Sequence, residues 1–394
     1  MSTLKKKSII SLASCPFRQQ PVLRKEAATL TKAGWQVSVI AWDRRTLHPA
    51  FDTVDAVAVE NILIRGSYGT GSLSMIVKTL MFWSIAVVRL IKKRNTFSIL
   101  HCQDLSTLLP AFIASRLLRK VMVFDAHDPY PEMLALTQPR LMVSVAAWIE
   151  KFFCRRVDAI LTVNGLMKQR FEKITARPIY IVYNYPELEI FKAEAKPVAA
   201  DRTPLVIGRI GTLAENLGIE ETIAAFIAVA EEFDVRLLFV GRLADTLRDK
   251  VLRLIEPVRD RVQMVADIPY FQVPAYYRQM DISMVLYGGQ GISPYVSPMK
   301  LFESMAMAVP VIASEVGEVR SVMEKSGCGL VVGCGDAPAV EAALRRLLRD
   351  PALRRQMGEN GLAQARAEYN WEMEGKKLIS MYEELLGADA YTRE

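Results

Sequence analysis

One pattern dominates the 394-residue sequence: a short apolar run, then an amphipathic run, repeated along the chain and interrupted once. KSIISLAS leads into LRKEAATLTKAG, a helix that stops at Gly34, as helices do where a residue must turn left-handed. WQVSVIAW and VENILIRG read as the next strands. An apolar helix over 74–93 then leads to the strand FSILHCQ, the helix LSTLLPAFIASRLLRK and the strand VMVFDAH. A helical stretch over 139–156, the strand DAILTV, a helix from Asn164 and the strand PIYIVYN follow. Strands that are apolar throughout and joined by helices pair in parallel, because a parallel partner needs a crossover and the crossover helices cover both faces. The expected fold is therefore α/β with a doubly wound sheet.

The interruption is ELEIFKAEAKPVAADRTP, a charged stretch with two prolines. Alternation resumes with PLVIGRIGT, a helix over 219–232, VRLLFVG, a helix over 245–255, VQMVAD, a helix over 272–279 and ISMVLY. A helix over 299–308, PVIAS, CGLVVG, a helix over 337–348 and a closing amphipathic helix in YNWEMEGKKLISMYEELL complete it. This reading divides the chain into a Rossmann-like domain over 1–190, a linker over 191–203, a second Rossmann-like domain over 204–370 and a terminal helix over 371–394. Two such domains suggest a ligand cleft at the carboxyl ends of their strands.

With 51% hydrophobic and 24% charged residues there is apolar material for two cores, and intrinsic disorder is excluded. The five cysteines form no CxxC and read as reduced thiols, which points to a cytoplasmic chain. The apolar stretch after Lys7 is too short for a signal peptide. Lys78 and Arg89 bracket only ten uncharged residues within the apolar helix, so no transmembrane helix is expected. Charge is uneven. Residues 1–196 carry 28 Lys+Arg against 15 Asp+Glu, while the whole chain nets only +7. The first half thus faces something anionic. No zinc-finger spacing, RNP-like motif or aromatic-interleaved basic run supports nucleic acid. Trp83 and Trp148 lie in basic apolar helices, which fits peripheral contact with an anionic cytoplasmic membrane face.

Several chemistries are excluded by what the sequence lacks. There is no full GxGxxG, no Walker loop, no Asp-x-Asp for a metal-bound diphosphate, and only three histidines without a cysteine cluster, so neither a metal nor a cofactor is expected. The informative stretch is SPYVSPMKLFESMAMAVPVIAS, preceded by Gly288, Gly289 and Gly291. Pro298 suits the start of a helix whose free amides, with Ser297 before it and Lys300 in its first turn, would hold a diphosphate. Glu303 is one turn further on, in reach of a nucleotide's sugar hydroxyls. Arg209 and Gly211 follow the first strand of the second half and Arg242 the next.

This segment resembles the nucleotide-sugar signature of retaining glycosyltransferases of family 4. LRKEAATLTKAGWQVSVIAW, the region FSILHCQDLSTLLPAFIASRLLRKVMVFDAHDPYPEM, DAILTVNGLMKQRF, YIVYNYPEL and the closing YNWEMEGKKLISMYEELL are similar to further landmarks of that family, in order. The resemblance implies a GT-B fold, with two Rossmann-like domains facing across a cleft and the last helix crossing back to the first. It implies transfer of a sugar from a UDP- or GDP-linked donor to a glycan or lipid-linked glycan, without metal. It places Glu303 on the ribose, Lys300, Ser297, Phe302, Arg209, Gly211 and Arg242 around the donor nucleotide, and His127 beside the transferred sugar, with Asp128 assisting. His101, Asp104 and Glu132 are candidate acceptor contacts. Two positions depart from the family pattern: Tyr295 stands where the first Glu of E-x7-E belongs, and Leu217 where a Lys belongs. The first departure leaves the donor sugar open. Two alternatives share the architecture, a nucleotide-sugar 2-epimerase and a non-catalytic nucleotide-sugar-binding partner.

Overall fold

The computed structural model describes residues 6–66, 73–135, 138–193, 203–266, 268–288 and 294–391. The chain forms two compact units, one of residues 1–183 with 374–394 and one of residues 184–373. The first boundary follows Tyr183, short of the expected end at Ile190, and the closing helix is divided between the units. Most of the expected linker, 194–202, lies outside the described residues.

In the first unit β1 (Ser8–Ala13), α1 (Pro21–Lys32), β2 (Gln36–Asp43), β3 (Phe51–Val54), β4 (Val57–Leu63), α2 (Leu73–Lys92) and β5 (Ile99–Gln103) come first. They are followed by α3 (Asp104–Leu118), β6 (Val121–Ala126), α4 (Tyr130–Leu134), α5 (Arg140–Cys154), β7 (Ala159–Thr162), α6 (Gly165–Glu172) and β8 (Ile179–Ile181). The eight strands are ordered β3-β4-β2-β1-β5-β6-β7-β8. Every residue of β1 and β6 is buried, which is why these strands read as mainly apolar runs, with Ser8, Ser11 and Asp125 the polar exceptions. The expected all-parallel sheet needs one correction. β3 pairs with β4 antiparallel, because Asp55 and Ala56 both take left-handed φ and close a two-residue hairpin. Phe51 is 72% exposed on this edge, so β3 has no apolar signal of its own.

The second unit contains β9 (Leu205–Ile210), α7 (Ile219–Ala230), β10 (Val235–Val240), α8 (Arg248–Leu254), β11 (Val262–Val265), α9 (Val273–Tyr277), β12 (Ile282–Val285) and α10 (Met299–Ala306). It continues through β13 (Val311–Ser314), α11 (Val319–Ser326), β14 (Gly329–Val332), α12 (Ala337–Arg349) and α13 (Pro351–Ala367). Its six parallel strands run β11-β10-β9-β12-β13-β14. This order reverses direction between β9 and β12, where doubly wound sheets bind ligands. Apolar side chains of β9, β10, β12, α7 and α12 form one buried core. The sequence reading omits α11 and α13. Gly327 ends α11 in a left-handed conformation, and the Asp350 carboxylate starts α13 by accepting from the Leu353 amide at 2.9 Å.

The last helix, α14 (Trp371–Tyr391), belongs to the first unit from Glu374 onward. There Leu378, Met381 and Tyr382 are buried, and Tyr382 packs against Trp35 at 5.7 Å between ring centroids.

Candidate functional site

In the second unit the site grows from the end of β9. Arg209 points inward from that strand and is 3% exposed. Its Nη1 donates to the Leu286 carbonyl at 3.2 Å, while its buried Nε has no partner among the described residues. Burial pulls the guanidinium down to about 10, against the opposing effect of Tyr287 and Glu221. Two residues on, Gly211 adopts φ +110, and a Cβ there would overlap the Lys300 side chain. Gly241 at the end of β10 is as crowded, since a Cβ there would overlap the Gly211 carbonyl. Two glycines thus let two strand ends close up beneath one lysine.

Lys300 comes from the first turn of α10. Burial, then the charge of Arg209, hold its ammonium below the ordinary value. Neither cation makes an ion pair among the described residues. The α10 N-terminus carries no side-chain cap and no acidic residue in its first turn. Two desolvated cations and a row of free amides share one place, which is an anion site by construction. Glu303 is 4% exposed, and its Oε2 accepts from Tyr277 Oη at 3.0 Å. The hydroxyl of Tyr277 also reaches the Lys300 carbonyl at 3.4 Å, so this tyrosine fixes the first turn and the glutamate together. Sequence reasoning missed Tyr277, which has no local motif.

The other expected donor residues are placed differently. Ser297 is half-buried just ahead of α10, Tyr295 lies in the turn before it, and Arg242 is exposed at the end of β10. The Phe302 ring is 3% exposed and packs on Tyr185 and Tyr369 at 4.5 and 5.4 Å. Leu217 is half-buried before the left-handed Gly218 that starts α7. Gly289 and Gly291 lie outside the described residues.

In the first unit a pocket of about 230 Å³ opens at the strand ends, lined among others by Ser14, Arg44, Asp104, Ser106, Asp128 and Tyr130. It adjoins the place where the strand order reverses between β1 and β5. Asp104 starts α3 with φ +61, a costly conformation outside glycine. Burial pushes its carboxyl up to about 6, against the lowering effect of His127.

Beside this pocket His127 donates to the fully buried Asp125 through Nε2 at 2.7 Å. Burial alone would lower His127, but the Asp125 charge and hydrogen bond outweigh it and raise the imidazole to about 10. At neutral pH both ring nitrogens therefore carry protons, and Nδ1 has no acceptor among the described residues. The raised value favours the protonated imidazole, a hydrogen-bond donor. Asp125, held far below the usual carboxylate range despite its burial, also accepts from His101 Nε2 at 3.1 Å. His101 Nδ1 is bonded to Tyr382 of α14. His101 is 2% exposed, so the structure places it behind His127 as a support, where the sequence suggested an acceptor contact. Glu132 likewise sits in a bidentate pair with Arg170 at 2.7 and 2.9 Å, and Arg170 also holds the buried Glu150.

Glu26, His101 and Asp125 each offer one ligand atom within 4.8 Å, a spacing that could hold a metal ion. Both His101 nitrogens are engaged by Asp125 and Tyr382, however, and burial raises the Glu26 carboxyl to about 7. Within the trio only His101 and Asp125 are hydrogen-bonded, and Glu26 lies 4.0 Å from His101 Nε2.

Residues 20–189 match the model for glycosyltransferase family 4, and residues 204–350 that for glycosyl transferases group 1. The chain is 24% identical over 250 residues to the lipopolysaccharide core biosynthesis mannosyltransferase LpcC of Rhizobium leguminosarum bv. viciae, covering 60% of this chain and 67% of that one. Among solved structures, sucrose-phosphate synthase from Thermosynechococcus elongatus superposes with TM-score 0.78 at 20% identity, covering 97% and 100% of the two chains. Anabaena HepE in complex with UDP gives 0.70 at 15% identity, covering 96% and 100%. These neighbours share the GT-B fold.

Proposed function

Because this chain belongs to glycosyltransferase family 4, and so is a glycosyltransferase of polysaccharide or glycolipid synthesis, we propose that it transfers the sugar of a nucleoside-diphosphate sugar with retention of configuration and without a metal. The observation that carries the donor reading is the pair Arg209 and Lys300, desolvated and unpaired over Gly211 at an uncapped helix N-terminus. As the bond from the anomeric carbon to the diphosphate breaks, negative charge collects on the leaving group. Preorganised cations and amides stabilise that charge without a metal ion. Glu303 binds the nucleotide's ribose, oriented by Tyr277.

The Asp104 pocket takes the acceptor hydroxyl, and alignment there is a positioning task. His127 positions the transferred sugar through its Nδ1 proton. A raised pKa makes it unsuited to remove a proton, and it stands ready as a fixed donor. HepE is seen with UDP, and LpcC is named for a lipopolysaccharide core, which supports a nucleotide-linked donor and a glycan on lipid as acceptor. The 2-epimerase reading has no support among these relatives.

The test is incubation with a panel of UDP- and GDP-sugars and lipid-linked glycans, with the product's anomeric configuration read by NMR. Transfer with retention, undiminished by a chelator, is expected. An inverted product, an epimerised free donor or a metal requirement would each refute the corresponding part.

A further inference from the structure

Three helices of the first unit leave apolar side chains in water. α2 buries Phe82, Ala86 and Leu90, with Phe82 stacked on Trp42 at 4.8 Å, yet exposes Ile76, Leu80, Met81 and Val88 on the opposite side. α3 exposes Ile113 and Leu117, and α5 exposes Leu141, Val145 and Trp148. The helices are neighbours. Pro110 has no amide hydrogen, so the Ser106 carbonyl is released from the α3 ladder and accepts from Trp83 Nε1 of α2 at 2.9 Å. On the other side of α3, Phe112 meets Phe153 of α5 edge-on at 5.2 Å. Leu141 and Trp148 are 76% and 64% exposed, far more than scattered surface leucines and tryptophans need be.

The exposed charges carried by these three helices are basic. α2 contains no acidic residue, α3 only Asp104 at its first position, and α5 only Glu150, which is buried against Arg170. Around the apolar side chains Lys92, Arg94, Arg119, Arg140, Lys151 and Arg155 are exposed. Two copies of such a face would repel each other, and an anionic surface would not. α2 is long and apolar enough by composition to cross a membrane, which the sequence reading did not expect. Its inner face, however, is part of the domain core, and Arg89 and Lys93 both pair with Glu60 of β4. It is suited to lie on a bilayer, with apolar side chains down and cations at the headgroups.

We propose that the outer face of α2, α3 and α5 is a docking surface for an anionic lipid bilayer. Ser106, Met133 and Glu150, from α3, α4 and α5, line the Asp104 pocket. Docking through this face therefore sets that pocket beside the leaflet, a consequence that rests on the acceptor reading above.

The test is flotation of the full chain with phosphatidylcholine vesicles, with and without phosphatidylglycerol, at low and high salt. Binding should require phosphatidylglycerol and fall with salt. A triple Lys92→Glu, Arg94→Glu, Lys151→Glu variant should bind on the order of a hundredfold more weakly, since each neutralised cation is worth about fivefold. Leu141→Ser with Trp148→Ser should bind on the order of tenfold more weakly or worse. All these side chains are exposed, so melting temperature and nucleoside-diphosphate affinity should not move, which keeps this test separate from the donor reading. No binding to anionic vesicles at low salt would overturn the proposal. So would binding that survives both variants, or a dimer abolished by Trp148→Ser in a chain that ignores vesicles.

Discussion

Lys300 and His127 are cations put to opposite uses. Lys300 is held below its ordinary value with no carboxylate paired to it, so its charge is available to a ligand. Lys300→Met should weaken nucleoside-diphosphate binding by about 1.5–3 kcal/mol, the range for a hydrogen bond to a charged group. Calorimetry on the folded variant checks this, and unchanged affinity would remove Lys300 from the donor site. His127 is held up at about 10 because Asp125 needs it. His127→Ala should lower transfer by roughly 10²–10³. Asp125 also loses one of its two histidine partners, so the melting temperature should fall as well.

The pH dependence separates the roles. Since the folded value is raised, the pair's contribution is complete below the unfolded value near 6.5 and disappears as pH climbs through about 10. The urea midpoint should fall further from pH 6 to pH 10 in wild type than in His127→Ala. Equal losses in both proteins would mean that the pair does not form.

At the scale of elements, the donor cradle depends on two strand ends approaching under α10. Gly211→Ala combines an unfavourable φ of +110 with a methyl group placed in the Lys300 side chain. Nucleotide affinity should drop at least as far as in Lys300→Met, because the lysine is displaced and the strand end distorted together. If Gly211→Ala binds nucleoside diphosphate normally, Lys300 does not need its present position. Strand ends and helix starts of this kind were legible in the sequence, because apolar runs, Gly34, Pro298 and Asn164 are local signals. Asn164 indeed caps α6, accepting from the Met167 amide at 2.7 Å. The edge hairpin and α13 were not legible. The first is set by two left-handed residues that are not glycine, and the second contains two buried glycines, Gly358 and Gly361, packed against Ala308 and Met305.

For the molecule as a whole, α14 ties the end of the chain to the first unit. Truncation after Met373 would uncover the buried sites filled by Leu378, Met381 and Tyr382 and strip His101 of its tyrosine. Each lost core side chain of this size costs about 2–5 kcal/mol, which together approach the stability of a domain. The truncated chain should be insoluble or melt far below the full one. A soluble truncation with the parent's melting temperature would show that α14 is dispensable to the first unit.

Periodicity alone determined two parallel α/β units, since a strand buried on both faces has only one way to be written. The motif around α10 was legible as a candidate anion site, because a helix start, a lysine and a glutamate are close in sequence as well as in space. The histidine network was beyond such reading. His101, Asp125 and Tyr382 come from β5, β6 and α14, and only the folded sheet brings them within hydrogen-bonding range, with Glu26 of α1 4.0 Å from His101. Burial and pairing together then decided their charges. Pairing works against burial for two of them, the histidines holding Asp125 far below the usual carboxylate range and Asp125 raising His127 to about 10, while burial raises Glu26 to about 7, where it is half-protonated at neutral pH.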